Sequence, residues 1–380
     1  MIRVSPVDSS TASRTFGTAA RALLALKLDG PLLVGLGLLA VYGLAVLYSA
    51  SGENWSMVLR ATARLGIGAT AMVLLAQVRP SQLRKVALPL WIVGVVLLIV
   101  VDVLGVIGGG AQRWLDLGFI RFQPSEIMKL AVPMLCAAWL HDRPVPPSPA
   151  SLGMLALIIL VPAALTAAQP DLGTAILITI AGALLLILAG LSAWFMAGAT
   201  ALAGAMAWVG WQYLLHEYQR QRVLTFLDPQ ADPLGSGYHI IQSQIAIGSG
   251  GLFGKGYMNG SQSQLEYLPE RHTDFIYAVI GEEFGLLGLA VLLLLYVFIV
   301  GRALYLSAQT QDTFTRLLAG SLALTFFVYV FINAGMVSGL LPVVGVPLPL
   351  VSYGGTSMVT LLASFGILMS MYSHRKLVGS

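Results

Sequence analysis

Residues 268–301 read LPERHTDFIYAVIGEEFGLLGLAVLLLLYVFIVG. From Phe275 to Gly301 the only charged residues are Glu282 and Glu283. About twenty apolar residues cross roughly 30 Å of hydrocarbon as a helix, so this run is long enough to span a bilayer. Asp274 stands where it begins. A carboxylate at a membrane interface is partly desolvated, which raises its pKa toward the range of a general base. The same group suits a divalent cation shared with a phosphate oxygen. An aspartate capping the helix N-terminus explains the residue equally well, and the roles can coexist.

The rest of the chain repeats this pattern. Of its 380 residues 57 % are hydrophobic and 10 % charged, with a mean hydropathy of +0.83. A soluble domain carries about a quarter charged residues, so the composition excludes soluble enzymes and disordered chains. The single cysteine, Cys136, excludes a disulfide framework. Further apolar runs lie near 31–51, 57–78, 86–107, 124–141, 151–168, 172–190, 194–214, 316–341 and 354–373. The expected fold is therefore an all-α polytopic membrane protein of about ten transmembrane helices. Residues 1–30 form a polar tail and 31–376 a single transmembrane domain. The segment 215–273, between helices 7 and 8, is one large extracytoplasmic loop, functional or mobile.

Charge bias sets the orientation. With the tail in the cytoplasm, Arg3, Arg14, Arg21, Lys27, Arg79, Arg84, Lys85, Arg143, Arg302, Arg316, Arg375 and Lys376 share that side. Only Arg60, Arg64, Arg113 and Arg121 fall near outer span ends. The bias is about threefold and places both termini inside. Basic residues are scattered rather than clustered, which argues against a nucleic-acid partner.

Charges inside or beside spans are candidates for function. Gln123-Pro124-Ser125-Glu126-Ile127-Met128-Lys129 puts Glu126 and Lys129 on one helical face, where a structural ion pair is the plain alternative. Gln169-Pro170-Asp171-Leu172-Gly173-Thr174 is a tight turn in which Asp171 also reads as an N-cap. Gly108-Gly109-Gly110-Ala111-Gln112-Arg113-Trp114 offers Arg113 for a phosphate and Trp114 for the headgroup level; an interfacial anchor fits both. Glu282 and Glu283 have no partner nearby in sequence, and their helical spacing points them apart.

Two apparent motifs fail. Residues 248–256, GSGGLFGKG, lack the glycine and the Ser/Thr that a phosphate-binding loop requires. His141, His216, His239, His272 and His374 show no zinc-ligand spacing. The run from Asn333 to Ser357 is different: its glycines and prolines break a helix at membrane depth, which is tolerated only where backbone lines a cavity or is buried in protein. Ser352 offers a hydroxyl there, and Gly354 and Gly355 offer amides suited to an anionic group.

Taken in order, 123–129, 169–174, 268–285 and 333–357 resemble the SEDS family (shape, elongation, division and sporulation proteins) over almost all of the chain after the tail. Arg271, with Leu265-Glu266-Tyr267, looks like the family's elongation branch, RodA, rather than its division branch, FtsW. The resemblance implies a peptidoglycan glycosyltransferase that polymerises lipid II, an undecaprenyl-diphosphate-linked disaccharide pentapeptide, outside the bacterial cytoplasmic membrane. Asp274 matches the family's essential aspartate, as base or as ligand of a divalent cation such as Mg or Mn; no organic cofactor is expected. Arg113, Trp114, Glu126, Lys129, Asp171, Arg220, Arg222, His272, Ser352, Gly354 and Gly355 are the expected substrate-binding residues. The implied partners are a class B penicillin-binding protein and other membrane proteins of the elongation machinery. A lipid II flippase and a non-catalytic scaffold are the competing readings.

Overall fold

A computed structural model describes residues 23, 25–108, 111–116, 121–213, 220, 224–225, 228, 230, 236–265, 267–268 and 270–374. Arg3, Arg14 and Arg21 of the tail, Arg222, Arg375 and Lys376 lie outside the described residues. In chain order the helices are α1 (Gly30–Ala50), α2 (Trp55–Gln77), α3 (Pro80–Leu104), α4 (Pro124–His141), α5 (Pro149–Ala168) and α6 (Leu172–Leu188). There follow α7 (Ala193–Tyr213), α8 (Ser236–Gly250), α9 (Ser261–Gln264), α10 (Ile276–Ala308), α11 (Thr313–Val337) and α12 (Thr356–Ser373). Every apolar run read from the sequence coincides with a long helix. Seven of them (α1, α2, α3, α5, α10, α11 and α12) are long and apolar enough to cross a membrane, and α6 is a shorter apolar helix.

Polar residues start these helices where the runs begin. The Asp29 side chain accepts from Leu32 N at 3.0 Å, and Asn54 accepts from Met57 N at 3.2 Å. Asp171 does the same for α6 through Thr174 N at 3.1 Å. Each such cap satisfies an amide that the helix leaves unbonded. The core lies in α4, α11 and α12: 72 % of the most apolar window of α11 is buried, against 22 % for α2 and α3. α2 packs along α12, and α3 against α4. The backbones of α2 and α12 come close enough that a Cβ on Gly366 would lie 2.3 Å from Met72 O. Small residues at such crossings are what allow helices to associate in lipid.

Three features depart from the expected outline. Between α3 and α4 the chain forms a small antiparallel meander, β1 (Val106–Gly108), β2 (Ala111–Asp116) and β3 (Arg121–Phe122), where the sequence reading saw no strands. Val106 pairs with Trp114, and Asp116 with Arg121. The long segment 215–273 is not a bare loop either, since α8 and α9 form within it and α8 packs against α10 and α11.

The third departure is a break in the helix that the opening stretch encodes. Gly285 has φ +63° and ψ −159°, so α10 is two helical pieces on either side of it. The backbone groups released there are bonded by residues 251–256. Lys255 N donates to Glu282 O and Gly256 N to Glu283 O, both at 3.0 Å. Leu286 N donates to Gly251 O at 2.9 Å and Leu287 N to Leu252 O at 3.1 Å. A break at membrane depth needs such internal partners. The glycines of the failed phosphate-loop motif are there because a side chain would not fit: a Cβ on Gly254 would sit 2.1 Å from Glu283 O.

Gly254 also has φ +79°, a region that costs a non-glycine residue energy. Gly254→Ala is therefore expected to destabilise the protein by about 2–3 kcal/mol. Gly37→Ala, whose Cβ would meet nothing within 4 Å, is the control and is expected to be neutral or slightly stabilising. Thermal unfolding in detergent measures both. Equal midpoints would contradict the brace.

Candidate active site

The connections alternate between two ends of the helix bundle. One end carries Asp29, paired with Arg302 (2.7 Å), and His141, paired with Asp312 (3.1 Å). The other end collects the β-meander, the turn at 169–171, the described residues of 251–275 and the non-helical stretch 338–355. Nearly all the residues expected at the site lie at this second end or just below it.

Asp274 directly precedes α10, whose N-cap is Phe275, so the aspartate is not at the capping position. Its surroundings are built by backbone groups and two side chains, Asn333 and Ser352. Asn333, fully buried in α11, donates from Nδ2 to Asp274 O and to Val346 O, both at 2.8 Å. The Ser352 hydroxyl donates to Thr273 O at 2.5 Å and accepts from Leu348 N at 2.8 Å. Tyr353 N donates to His272 O at 2.8 Å. The chain 346–353 is thus stitched to 272–274, and a Cβ on Gly345 would lie 3.5 Å from Asp274 Oδ2. Ser352 here ties two backbone segments together, and the Gly354 amide is taken by Ser352 O at 2.7 Å.

The same stretch meets the 169–174 turn on its other side, since a Cβ on Gly173 would fall 2.4 Å from Val344 O. Asp171 is buried and multiply engaged. Its Oδ1 caps α6, and its Oδ2 accepts from Gln123 Nε2 at 2.8 Å with Arg113 Nη1 at 3.6 Å. The cap read from the sequence is therefore present, and the same carboxylate also pairs with Arg113. Arg113 and Trp114 reach the site from β2, and the tip of the Trp114 indole lies about 4.0 Å from where a Cβ on Gly355 would be.

Deeper along α4 lies the Glu126–Lys129 pair at 2.6 Å, each side chain at most 7 % exposed. Gln123 to Lys129 spans about 9 Å of helix, so this pair sits below the Asp171 cluster. Glu126 Oε2 has no hydrogen-bond partner, and Lys129 Nζ lies 5.1 Å from the centre of the Tyr329 ring. Lys129 and Tyr329 line a small cleft with Thr325, Thr360 and Ser364. Arg220 turns back to donate to Gln212 O at 3.1 Å, near the end of α7.

Reading the sequence missed Arg64, Asn333 and Lys255 as parts of this end. Arg64 stacks over Tyr353 at 4.6 Å from the ring centre and donates to Gly354 O at 3.5 Å. Its signal was present: a cation well inside the span 57–78 is costly unless used. Lys255 supplies the partner that Glu282 lacks nearby in sequence, at 2.7 Å. Glu283 turns the other way, accepting from Ser49 Oγ at 2.5 Å. Beside the site, His239 stacks on Phe275 at 5.8 Å, and burial holds its pKa below the usual imidazole value.

Among the described residues, no three His, Cys, Asp or Glu side chains converge on a point. The fold and this end together define a polytopic membrane protein with a few carboxylates and arginines gathered at one end of its bundle. A family model described as "Cell cycle protein", covering FtsW, RodA and SpoVE, matches residues 25–377. The chain belongs to this family.

Its relatives agree. The peptidoglycan glycosyltransferase MrdB of Escherichia coli K12 is 53 % identical over 352 residues, 92 % of this chain and 95 % of that protein. MrdB of Helicobacter pylori is 39 % identical over 297 residues, 75 % of each chain. A chain in the solved structure titled "Structural coordination of polymerization and crosslinking by a peptidoglycan synthase complex" superposes with a TM-score of 0.81 at 32 % identity, covering 92 % of this chain and 98 % of that one. The rod shape determining protein RodA of Thermus thermophilus superposes at 0.70 and 28 % identity, covering 91 % of this chain and 97 % of that one.

The ion pair predicts its own mutational signature. Lys129→Met leaves Glu126 buried without its cation and is expected to cost about 3–5 kcal/mol of stability. Glu126→Gln with Lys129→Met removes both charges and should recover most of that loss. A double-mutant cycle on thermal unfolding reads the coupling, and additive effects would refute it.

Proposed function

We propose that this protein is a peptidoglycan glycosyltransferase that polymerises lipid II on the outer face of the bacterial cytoplasmic membrane during elongation. Ten crossings with both termini in the cytoplasm put the Asp274 end outside, where the basic residues are fewest. The observation that carries the reading is the placement of Asp274. It stands in a polar chamber beside a helix-break segment, held by Asn333 and Ser352 through backbone bonds at 274, 273 and 346.

In the reaction the C4 hydroxyl of the acceptor GlcNAc attacks the anomeric carbon of the donor MurNAc. Asp274 takes the hydroxyl proton as the new C–O bond forms. The bond from the anomeric carbon to the diphosphate breaks, undecaprenyl diphosphate leaves with the electron pair, and the linkage becomes β-1,4 with inversion. A base positioned in this way contributes about a hundredfold to ten-thousandfold. Negative charge builds on the diphosphate, and Arg113, with Arg64 nearby, offers planar guanidinium groups suited to phosphate oxygens. His272, Trp114, Gly354 and Gly355 flank the same chamber, and Glu126, Lys129 and Asp171 shape its floor. Arg220 and Arg222 belong to the segment between α7 and α8.

A single carboxylate fits a hard cation only where substrate completes the coordination sphere. Mg²⁺ is commonly held in this way, by one or two carboxylates together with phosphates. Bound between Asp274 and the diphosphate, a divalent cation would neutralise charge on the leaving group. The likeness to a chain of a polymerising and crosslinking complex supports a crosslinking penicillin-binding protein of class B as partner, within a larger set of elongation membrane proteins.

Purified protein with its partner, given lipid II in detergent, should form glycan strands. Asp274→Asn should lower the rate by at least about a hundredfold with unchanged thermal stability. Excess EDTA should reduce the wild-type rate, and Mg²⁺ or Mn²⁺ should restore it. Full polymerisation by Asp274→Asn would overturn the assignment of the base, and full activity in EDTA would remove the cation.

A further inference from the structure

Asp274 is bracketed on two sides. One bracket is the stretch 346–353 with Asn333 and Ser352, described above. The other begins at Glu282, two helical turns further along the first piece of α10. We infer that Glu282 and Lys255 are positioning residues: their buried ion pair clamps the turn at 261–264, and this turn, through Arg271, fixes the segment that carries Asp274. This inference rests on the proposed role of Asp274 and extends it to residues outside the chamber.

The geometry is continuous. The Glu282 side chain is fully buried, yet its carboxylate receives four donors. Oε1 accepts from Lys255 Nζ at 2.7 Å, Ser261 Oγ at 3.1 Å and Gln262 N at 2.8 Å; Oε2 accepts from Ser263 N at 3.1 Å. Lys255 Nζ also donates to Ser261 Oγ at 2.7 Å, closing the ring. A carboxylate has about four lone-pair sites, so this one is saturated by the protein itself. From the same turn, Ser263 O accepts from the Arg271 guanidinium. Arg271 lies three residues before Asp274, and the intervening backbone is bonded to 352 and 353.

The surroundings show why the clamp is needed. The first piece of α10 ends at the Gly285 break, so it is not held in line by the longer piece beyond. Its hold comes from the glycine brace at 251–256 and from this carboxylate. Lys255 takes part in both, through its backbone amide to Glu282 O and its ammonium to the Glu282 side chain. Residues 257–264 are also tied to α1, since Tyr257 OH donates to Ala45 O at 2.8 Å and Gln264 Nε2 to Ser49 O at 3.5 Å. Buried networks of this kind rigidify when every member is satisfied and loosen when one is removed. A displacement of about 1 Å at a reacting group can cost on the order of a hundredfold in rate.

The test uses full-length protein with its partner. Nitroxide labels are placed at two exposed positions, Tyr267→Cys and Leu340→Cys, in a Cys136→Ala background, and their separation is read by pulsed electron–electron resonance. Lys255→Met and Glu282→Gln are expected to broaden the distance distribution and to lower kcat for lipid II by about tenfold to a hundredfold. KM should stay within about twofold, because the variants act on positioning and not on binding. Lys255→Arg should restore both the narrow distribution and the rate. Lys255 is the safer position if Glu282→Gln fails to fold, since its side chain is partly exposed.

An unchanged distribution in Lys255→Met, a loss of rate without broadening, or failure of Lys255→Arg to rescue would each overturn the inference. Asp274→Asn separates this from the role of Asp274 itself. It should abolish turnover while keeping the distribution narrow. An active Asp274→Asn would refute the base while leaving the clamp to be judged on its distances.

Discussion

A backbone amide or carbonyl left unbonded within lipid costs several kcal/mol, so a membrane-embedded chain can depart from helix only where the protein supplies the partners. This chain departs twice at its chamber end, at Gly285 and through 338–355. Each departure is closed from within. Residues 251–256 bond the break at Gly285, while Asn333 and Ser352 bond the stretch 346–352. Asp274 lies against the second of these, and the first piece of α10 runs from it to the break. The placement of the reactive carboxylate is thus a by-product of satisfying the backbone around it.

The electrostatics follow the same logic. Charges are few, and most of the buried ones described have a partner of opposite charge: Glu126 with Lys129, Asp171 with Arg113 and Gln123, Glu282 with Lys255 and two amides, while Glu283 is held by the Ser49 hydroxyl. Breaking such a pair is expensive, because a lone buried charge remains. Arg64 and Arg113 reach the same chamber from different elements, α2 and the β-meander. Their guanidinium groups are fixed by stacking and by an ion pair, which suits the diphosphate leaving group of the proposed reaction.

Much of the fold was legible because apolar runs of span length have few other uses. The helices appear where those runs stand, and scarcity made Glu126, Lys129, Asp171 and Asp274 conspicuous. What escaped depends on pairing across long separations. Lys255 and Glu282 are 27 residues apart, and neither suggests the other until Gly285 breaks the helix. Hydropathy averages over a window, so it sees 275–301 as one span and passes over a single glycine at φ +63°. The motif at 248–256 lacks the residues of a phosphate-binding loop, and its glycines serve a purpose that composition does not announce, close approach to another backbone. Arg64 was counted toward topology only, although its place inside the span 57–78 was a signal of use. The β-meander was missed since strands of two to six residues leave no periodic signal.

The central claim is that the bonded irregular backbone around Asp274, and not the carboxylate alone, makes the site. Asn333 isolates this claim, because it is buried in α11, touches no solvent and bonds only backbone oxygens of 274 and 346. The decisive measurement is the rate of glycan polymerisation per folded molecule of Asn333→Leu, which keeps the branched shape of the side chain, though larger, and removes the donor. The account predicts a fall on the order of a hundredfold with the protein still folded in the membrane. A wild-type rate from a stably folded Asn333→Leu would contradict it.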